Sequence, residues 1–300
     1  LRSTPQRSEG AEKTGFSDVE IAKLCGYLPL ALRAAASLLE VNQDLDPARY
    51  VTQLRDERTR LENLGTEGVD ISVEASLNLS YAPLDDETKR VFRSLSVFPA
   101  DFEATAEESI CDDVEHKGLS DLMKRSLVIY EDDTKRYRLH DLARLFADSR
   151  MNDEERFNAQ LKFATYFSKL LGEAQQLYSK GGDSILQGLN LFDTERANIE
   201  HGQKWSSENI EKSDEAAKAC NWYAGQWSVD VLRLHPRVYI QWIESALIAA
   251  RKIKNRQAEG AHLGNLGLAY ADLGETRKAI EYYEQSAKVA HEIGNKSGEG

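Results

Sequence analysis

The run "YIQWIESALIAARKIKNRQAEG" at residues 239–260 returns forty residues later as "AIEYYEQSAKVAHEIGNKSGEG" at 279–300. The two align without a gap and share seven of 22 residues: Ile240/Ile280, Glu244/Glu284, Ala250/Ala290, Ile253/Ile293, Asn255/Asn295, Glu259/Glu299 and Gly260/Gly300. Apolar positions agree as well, at helical spacing. Self-similarity of this length marks stacked helix pairs, because one pair cannot bury its own apolar face. The C-terminal part is therefore read as an α-solenoid.

Between the copies lies "GNLGLAYADLGETRKAIEYYEQSAKVA". Leu266-Gly267, Tyr270, Gly274, Ala279 and Tyr283 resemble the signature of a tetratricopeptide repeat (TPR). Leu263 stands where a Trp is usual and Ser286 where an Ala is usual. The usual period of that repeat is about 34 residues, so forty implies longer helices. The resemblance implies a protein or peptide ligand on the concave face, lined by the first helix of each pair. Gly264, Asn265, Leu268 and Asp272 are the inward-facing candidates, and Asn265 offers both a donor and an acceptor to a peptide backbone. A single repeat makes no groove, so the alternative is that these residues only line a surface. Gly260 is read as opening the first helix of a repeat, with Gly300 matching it. The last helix, about 277–293, should then leave part of the stripe Ile280, Tyr283, Ala287, Ala290 and Ile293 uncovered, and end-to-end self-association is expected.

Working toward the N-terminus, residues 151–235 show only helical periodicity. Phe157, Leu161, Ala164, Phe167, Leu170, Ala174 and Leu177 fall on one stripe. Gly181-Gly182 and His235-Pro236 are breaks. Residues 73–150 differ: helical periods at 74–81 and 86–96, a Thr105-to-Glu108 capping box, a helix around 118–126, then "LVIYEDDTKRYRLH". That last run reads as a hairpin about Asp132-Asp133-Thr134, and helices followed by a hairpin describe a winged helix. Residues 1–16 read as a polar lead-in. The Ser17-to-Glu20 capping box opens a helix to about Leu24, an Ala/Leu-rich helix follows Pro29, and Asp46-Pro47 starts a third that ends near Gly65. The expected domains are 1–72, 73–150, 151–235 and 236–300.

His140-Asp141 stands where the hairpin meets a helix. Read alone, Asp141 caps that helix and His140 is a half-buried joint residue. Its neighbours add a second reading. "CGYLPLAL" (25–32) resembles the Gly-x-Pro motif in the helical subdomain of NB-ARC ATPases, members of the STAND class of switch ATPases. "VEASLNLSYAPLDDETKRVFRSLSVFP" resembles the entry to that family's winged helix. "YRLHDL" resembles its Met-His-Asp motif, with Leu139 replacing Met. The match covers about 17–150, and "FDTERANIEHGQKW" resembles a segment that joins winged helix to TPRs in bacterial members. The resemblance implies that Pro29 packs on the adenine of ADP and that His140 reaches its β-phosphate. It also implies that ADP or ATP with Mg binds only in the intact parent, completed by a nucleotide-binding subdomain of the same chain. No GxxxxGK[ST] occurs here, so this stretch should bind no cofactor and catalyse nothing by itself.

Composition limits the alternatives. The 300 residues are 41% hydrophobic and 29% charged, with net charge −12. No apolar run of about 18 residues exists, Arg33 interrupting the best candidate, so no membrane span is expected. Cys25, Cys111 and Cys220 are far apart with no CxxC and read as reduced thiols of a cytoplasmic protein. The histidines show no ligand spacing, so no metal site is expected. The pairs Asp85-Asp86, Asp112-Asp113 and Asp132-Asp133 read as turns and caps. The chain begins at Leu1 and reads as part of a longer protein. A DNA-reading regulator is the alternative function, but residues 73–150 carry 17 Asp/Glu against 11 Lys/Arg. Phosphate neutralisation needs the opposite balance. A plain TPR adaptor is the third reading.

Overall fold

The computed structural model describes residues 18–64, 71–225 and 227–294. The lead-in 1–16, the Ser17 cap, the Gly65 terminus and the repeat positions Asn295, Glu299 and Gly300 lie outside them. The fold is mainly α, with one two-stranded sheet. Two units are distinct: Leu1–Val97 with Asp101–Arg156, and Phe98–Ala100 with Phe157–Gly300.

In the first unit, α1 (18–24) ends at Cys25-Gly26-Tyr27, where Gly26 and Tyr27 take φ of 61° and 56°. This left-handed pair turns the chain into α2 (Pro29–Val41), whose first residue is the proline, an orphan donor position where its missing N–H costs nothing. Asp46 accepts from the Arg49 amide at 2.9 Å and caps α3 (Pro47–Leu64). Both helices pack on α4 (Ile71–Tyr81), which is why α4 buries Ser72, Ser76 and Ser80 as well as Val73, Ala75 and Leu77. Arg58 ties α3 to the Leu24 carbonyl and to Ser72 Oγ.

Asp85 accepts from the Thr88 amide at 2.7 Å and starts α5 (Asp86–Ser94), which tightens to a 3-10 turn at Leu95–Val97. The Thr105–Glu108 box does not open the next helix. That helix, α6 (Ala104–Cys111), starts one residue before Thr105, with Glu103 in extended backbone at its N-cap and no side-chain cap. The Glu103 carboxylate is drawn instead to Arg136, at 3.3 Å. After α7 (Lys117–Lys124) come β1 (Ile129–Glu131) and β2 (Arg136–Arg138), antiparallel with Tyr130 opposite Tyr137, and Phe102 bridges to Tyr137 from outside. Next is α8 (Asp141–Ser149). Tyr81, Phe92 and Phe146 form the aromatic centre joining α4, α5 and α8. A Ser37–Ser126 hydroxyl contact of 2.5 Å ties α2 to the turn before β1.

The second unit is built of helices: α9 (Asp153–Lys180, from Phe157 in this unit), α10 (Asp183–Glu208), α11 (Asp214–Tyr223), α12 (Trp227–Arg233), α13 (Pro236–Lys252), α14 (Arg256–Asp272) and α15 (Thr276–Glu292). The buried face of α9 is rotated from the stripe expected. Phe163, Phe167, Leu171 and Ala174 are buried with Ala164 and Ser168, while Phe157, Leu161, Leu170 and Leu177 are half-exposed. Two neighbours claim that helix from different sides, which widens the face beyond one stripe. Gly188 of α10 comes against the Ala174 carbonyl, and the Tyr223 hydroxyl of α11 donates to the Ala164 carbonyl at 2.9 Å. Gly181 and Gly182 both take positive φ between α9 and α10.

The forty-residue shift is obeyed by whole elements. Helix α13 begins at 236 and ends at 252, and α15 begins at 276 and ends at 292. Lys254 and Gly294, forty apart, both take left-handed φ, 56° and 68°. Gly260 does not open its helix: α14 starts at Arg256, with Asn255 accepting from the Ala258 amide at 3.0 Å. Gly260 lies a turn inside, where a Cβ would meet Val289 at 3.3 Å. On α15, Ile280, Tyr283 and Ile293 are 51%, 39% and 39% exposed, whereas Ala290 is buried.

Candidate functional site

His140 is itself the N-cap of α8. Its backbone is extended and its Nδ1 accepts from the Leu142 amide at 3.2 Å. Asp141, read from sequence as the cap, is the first helical residue instead, 82% exposed and 3.4 Å from Arg144. The cap has a chemical consequence. A histidine that accepts at Nδ1 has Nε2 left as its donor. The half-buried ring therefore presents an Nε2–H at a helix N-terminus, where amide dipoles already favour an anion. One donor beside one helix end suits a phosphate oxygen.

Pro29 is exposed at the start of α2, two residues after the exposed ring of Tyr27. Among the described residues no hydrogen bond, ion pair or ring contact joins Pro29 to His140. Gly26 lies against Ser72 at the beginning of α4, and α8 is fixed to α4 by Phe146 on Tyr81 and by Arg150 on Asn78 and Glu74. No group of three or more His, Cys, Asp or Glu among the described residues could hold a metal ion, and no described helix is long and apolar enough to cross a membrane.

In the second unit, Asn265, Leu268 and Asp272 share one face of α14, with Leu268 42% exposed and Asp272 exposed. Among the described residues the Asn265 amide has no hydrogen-bond partner, so both its donor and acceptor remain available. The opposite sides of α14 are held by neighbours. A Cβ on Gly267 would meet the Tyr283 ring at 2.6 Å, so only glycine admits that ring. Ser286 donates to the Gly260 carbonyl at 2.9 Å, a bond that the Ala usual at this position could not make. Tyr270 stacks on Tyr282, with centroids 5.5 Å apart, beneath the Lys278 ammonium, and its hydroxyl donates to Glu244 at 3.3 Å. His262, which sequence reading passed over, is buried, and burial lowers its pKa to about 4. It is neutral at pH 7, and its Nε2 lies 2.9 Å from Asn221 Oδ1, pinning α14 to α11.

The comparisons with known proteins concern the sequence more than the shape. No protein-family model matches the chain. It is 32% identical over 186 residues to "Regulatory protein AfsR" of Streptomyces coelicolor, a match covering 57% of this chain and 18% of that protein. It is 31% identical over 147 residues to "Regulatory protein AfsR" of Streptomyces griseus, covering 47% and 15%. Among solved structures there is a likeness to a signal transduction ATPase with numerous domains (STAND) protein with a tetratricopeptide repeat sensor from Pyrococcus horikoshii. That pair has 18% identity and a TM-score of 0.29, over 89% of this chain and 54% of the other. By sequence, then, the chain is similar to one stretch of two long regulatory proteins and spans less than a fifth of either.

Proposed function

We propose that this chain is the sensing and partner-binding stretch of a STAND-type regulatory ATPase, with 18–150 helping to hold ADP and 157–294 forming TPRs that receive a protein ligand. The observation that carries the reading is His140. Its Nδ1 is committed to the cap of α8, so its Nε2–H is the donor left to face a phosphate. Likeness to proteins named as regulators supports a regulatory role, and the motif order around Pro29 and His140 supports the nucleotide. Loss of the His140 contact would free the first unit from the ADP-holding arrangement and permit assembly of the whole protein. The missing phosphate cradle and Mg would come from another part of the same protein.

DNA reading by a winged helix fits less well. Lys124 of α7 is held by Asp121 at 2.9 Å, and the region is acidic.

The test uses the full-length protein. His140→Ala should lower the fraction purified with ADP bound by about tenfold, the loss of one hydrogen bond to a charged group, and raise basal output. Asp141→Asn should do neither. Nucleotide extraction and chromatography read the first quantity. Unchanged ADP content in His140→Ala would sink the assignment.

A further inference from the structure

One concave site stands out on the second unit. Thr165, Ser168 and Lys169 of α9 and Glu215, Lys218, Ala219 and Trp222 of α11 line a hollow of about 280 Å3. Trp222 is its wall. This large ring is 51% exposed, and Gly172 lies beneath it: a Cβ there would come 3.1 Å from the indole Nε1. The glycine lets the indole lie against the α9 backbone while its outer side stays open.

Charge is distributed unevenly about the hollow. From Phe157 to Lys180, α9 carries Lys162, Lys169 and Lys180 against Glu173 alone, in a chain with net charge −12, while α11 sets Asp214 and Glu215 against Lys218. Lys218 is neutralised by Glu215 at 2.9 Å. Lys169 makes no ion pair among the described residues. The rim thus offers one unneutralised ammonium beside an aromatic wall. The volume suits a single side chain, being just below the size of ordinary small-ligand sites. An exposed Trp against a small pocket has the character of an interface hot spot.

We infer that this hollow receives one aliphatic or aromatic side chain of an acidic peptide segment, with a flanking carboxylate on Lys169. The inference rests on the reading of 157–294 as the partner-binding unit. It adds α9 and α11 to the α14 face, with which α11 is joined through Asn221 and His262.

The probes are dye-labelled pentapeptides titrated into the whole chain and followed by fluorescence anisotropy: acetyl-Glu-Glu-Phe-Glu-Glu-amide, its Phe→Ser counterpart, and the version with four lysines. The first should bind at least about tenfold more tightly than the other two, a difference within the reach of one buried aromatic and one charge contact. Trp222→Ala and, separately, Lys169→Glu should each cost about tenfold. Lys169 is exposed, so its variant keeps the fold if the Trp222 variant does not. Equal binding of the lysine peptide, binding indifferent to both substitutions, or no binding of the first peptide below about 1 mM overturns the inference. Binding that Asn265→Ala weakens while Trp222→Ala and Lys169→Glu do not would overturn the pocket and leave the partner-binding reading standing. His140→Ala bears on neither outcome.

Discussion

Glu107 is fully buried in α6, with its Oε2 2.8 Å from His116 Nδ1 and the nearly buried Asp113 beside it. Burial first, then the Asp113 charge, pushes its pKa up to about 9 from an ordinary 4.5. Between those values the folded chain holds a proton that the unfolded chain has lost, so stability falls as pH rises across that window. The urea midpoint of the first unit should therefore decline from pH 5 to 9, and Glu107→Gln should flatten the decline. A wild-type midpoint that rises over the same range would contradict this account. Nothing in the sequence singled out Glu107. It is one of a run of acids, and only packing in the folded chain separates it from half-buried Glu108. His140 shows the complementary case. Its place at the helix joint was legible from alternation giving way to helical period, but which side chain caps was not. Asp and His are both able to cap, and the choice depends on one backbone turn.

At the scale of elements, close approach between helices is set by particular glycines. A Cβ on Gly188 would collide with the Ala174 carbonyl oxygen and come 2.9 Å from the Tyr178 nitrogen, both backbone atoms that cannot rotate away. Gly188→Ala should destabilise the second unit by ~1–3 kcal/mol, the usual range for overpacking. Gly264 is the contrast: its nearest neighbour is Ser286 Oγ at 3.5 Å, ordinary contact, in the middle of α14. Gly264→Ala should be neutral or stabilise by up to ~1 kcal/mol, from helix propensity. Thermal denaturation of both variants checks the pair, and equal behaviour would refute the packing argument. Helix positions were mostly legible because Pro29, Asp46-Pro47, Asp85 and His235-Pro236 punctuate the chain unambiguously. The buried face of α9 was misread because one sequence stripe cannot reveal two neighbours on different sides. Trp222 escaped notice for a related reason: its seat against Gly172 lies fifty residues earlier in the chain, a spacing that no local pattern records.

For the whole molecule, the charge balance makes a prediction. With 50 acidic against 38 basic residues, and with Lys124 already held by Asp121, the chain should not retain random duplex DNA at about 100 mM salt. A gel-shift assay is sufficient, and retention that weakens steeply as salt rises would restore the DNA-reading alternative. The repeat carries a different consequence. Because α13 and α15 begin and end in the same phase, forty codons are the natural quantum of change in this gene segment. An in-frame duplication or loss of that length would leave every surviving helix with its own start, stop and left-handed exit. A change of thirty-four or thirty-six would splice the middle of one helix onto the wrong turn of another. Length variation among descendants of this sequence should therefore come in steps of forty residues.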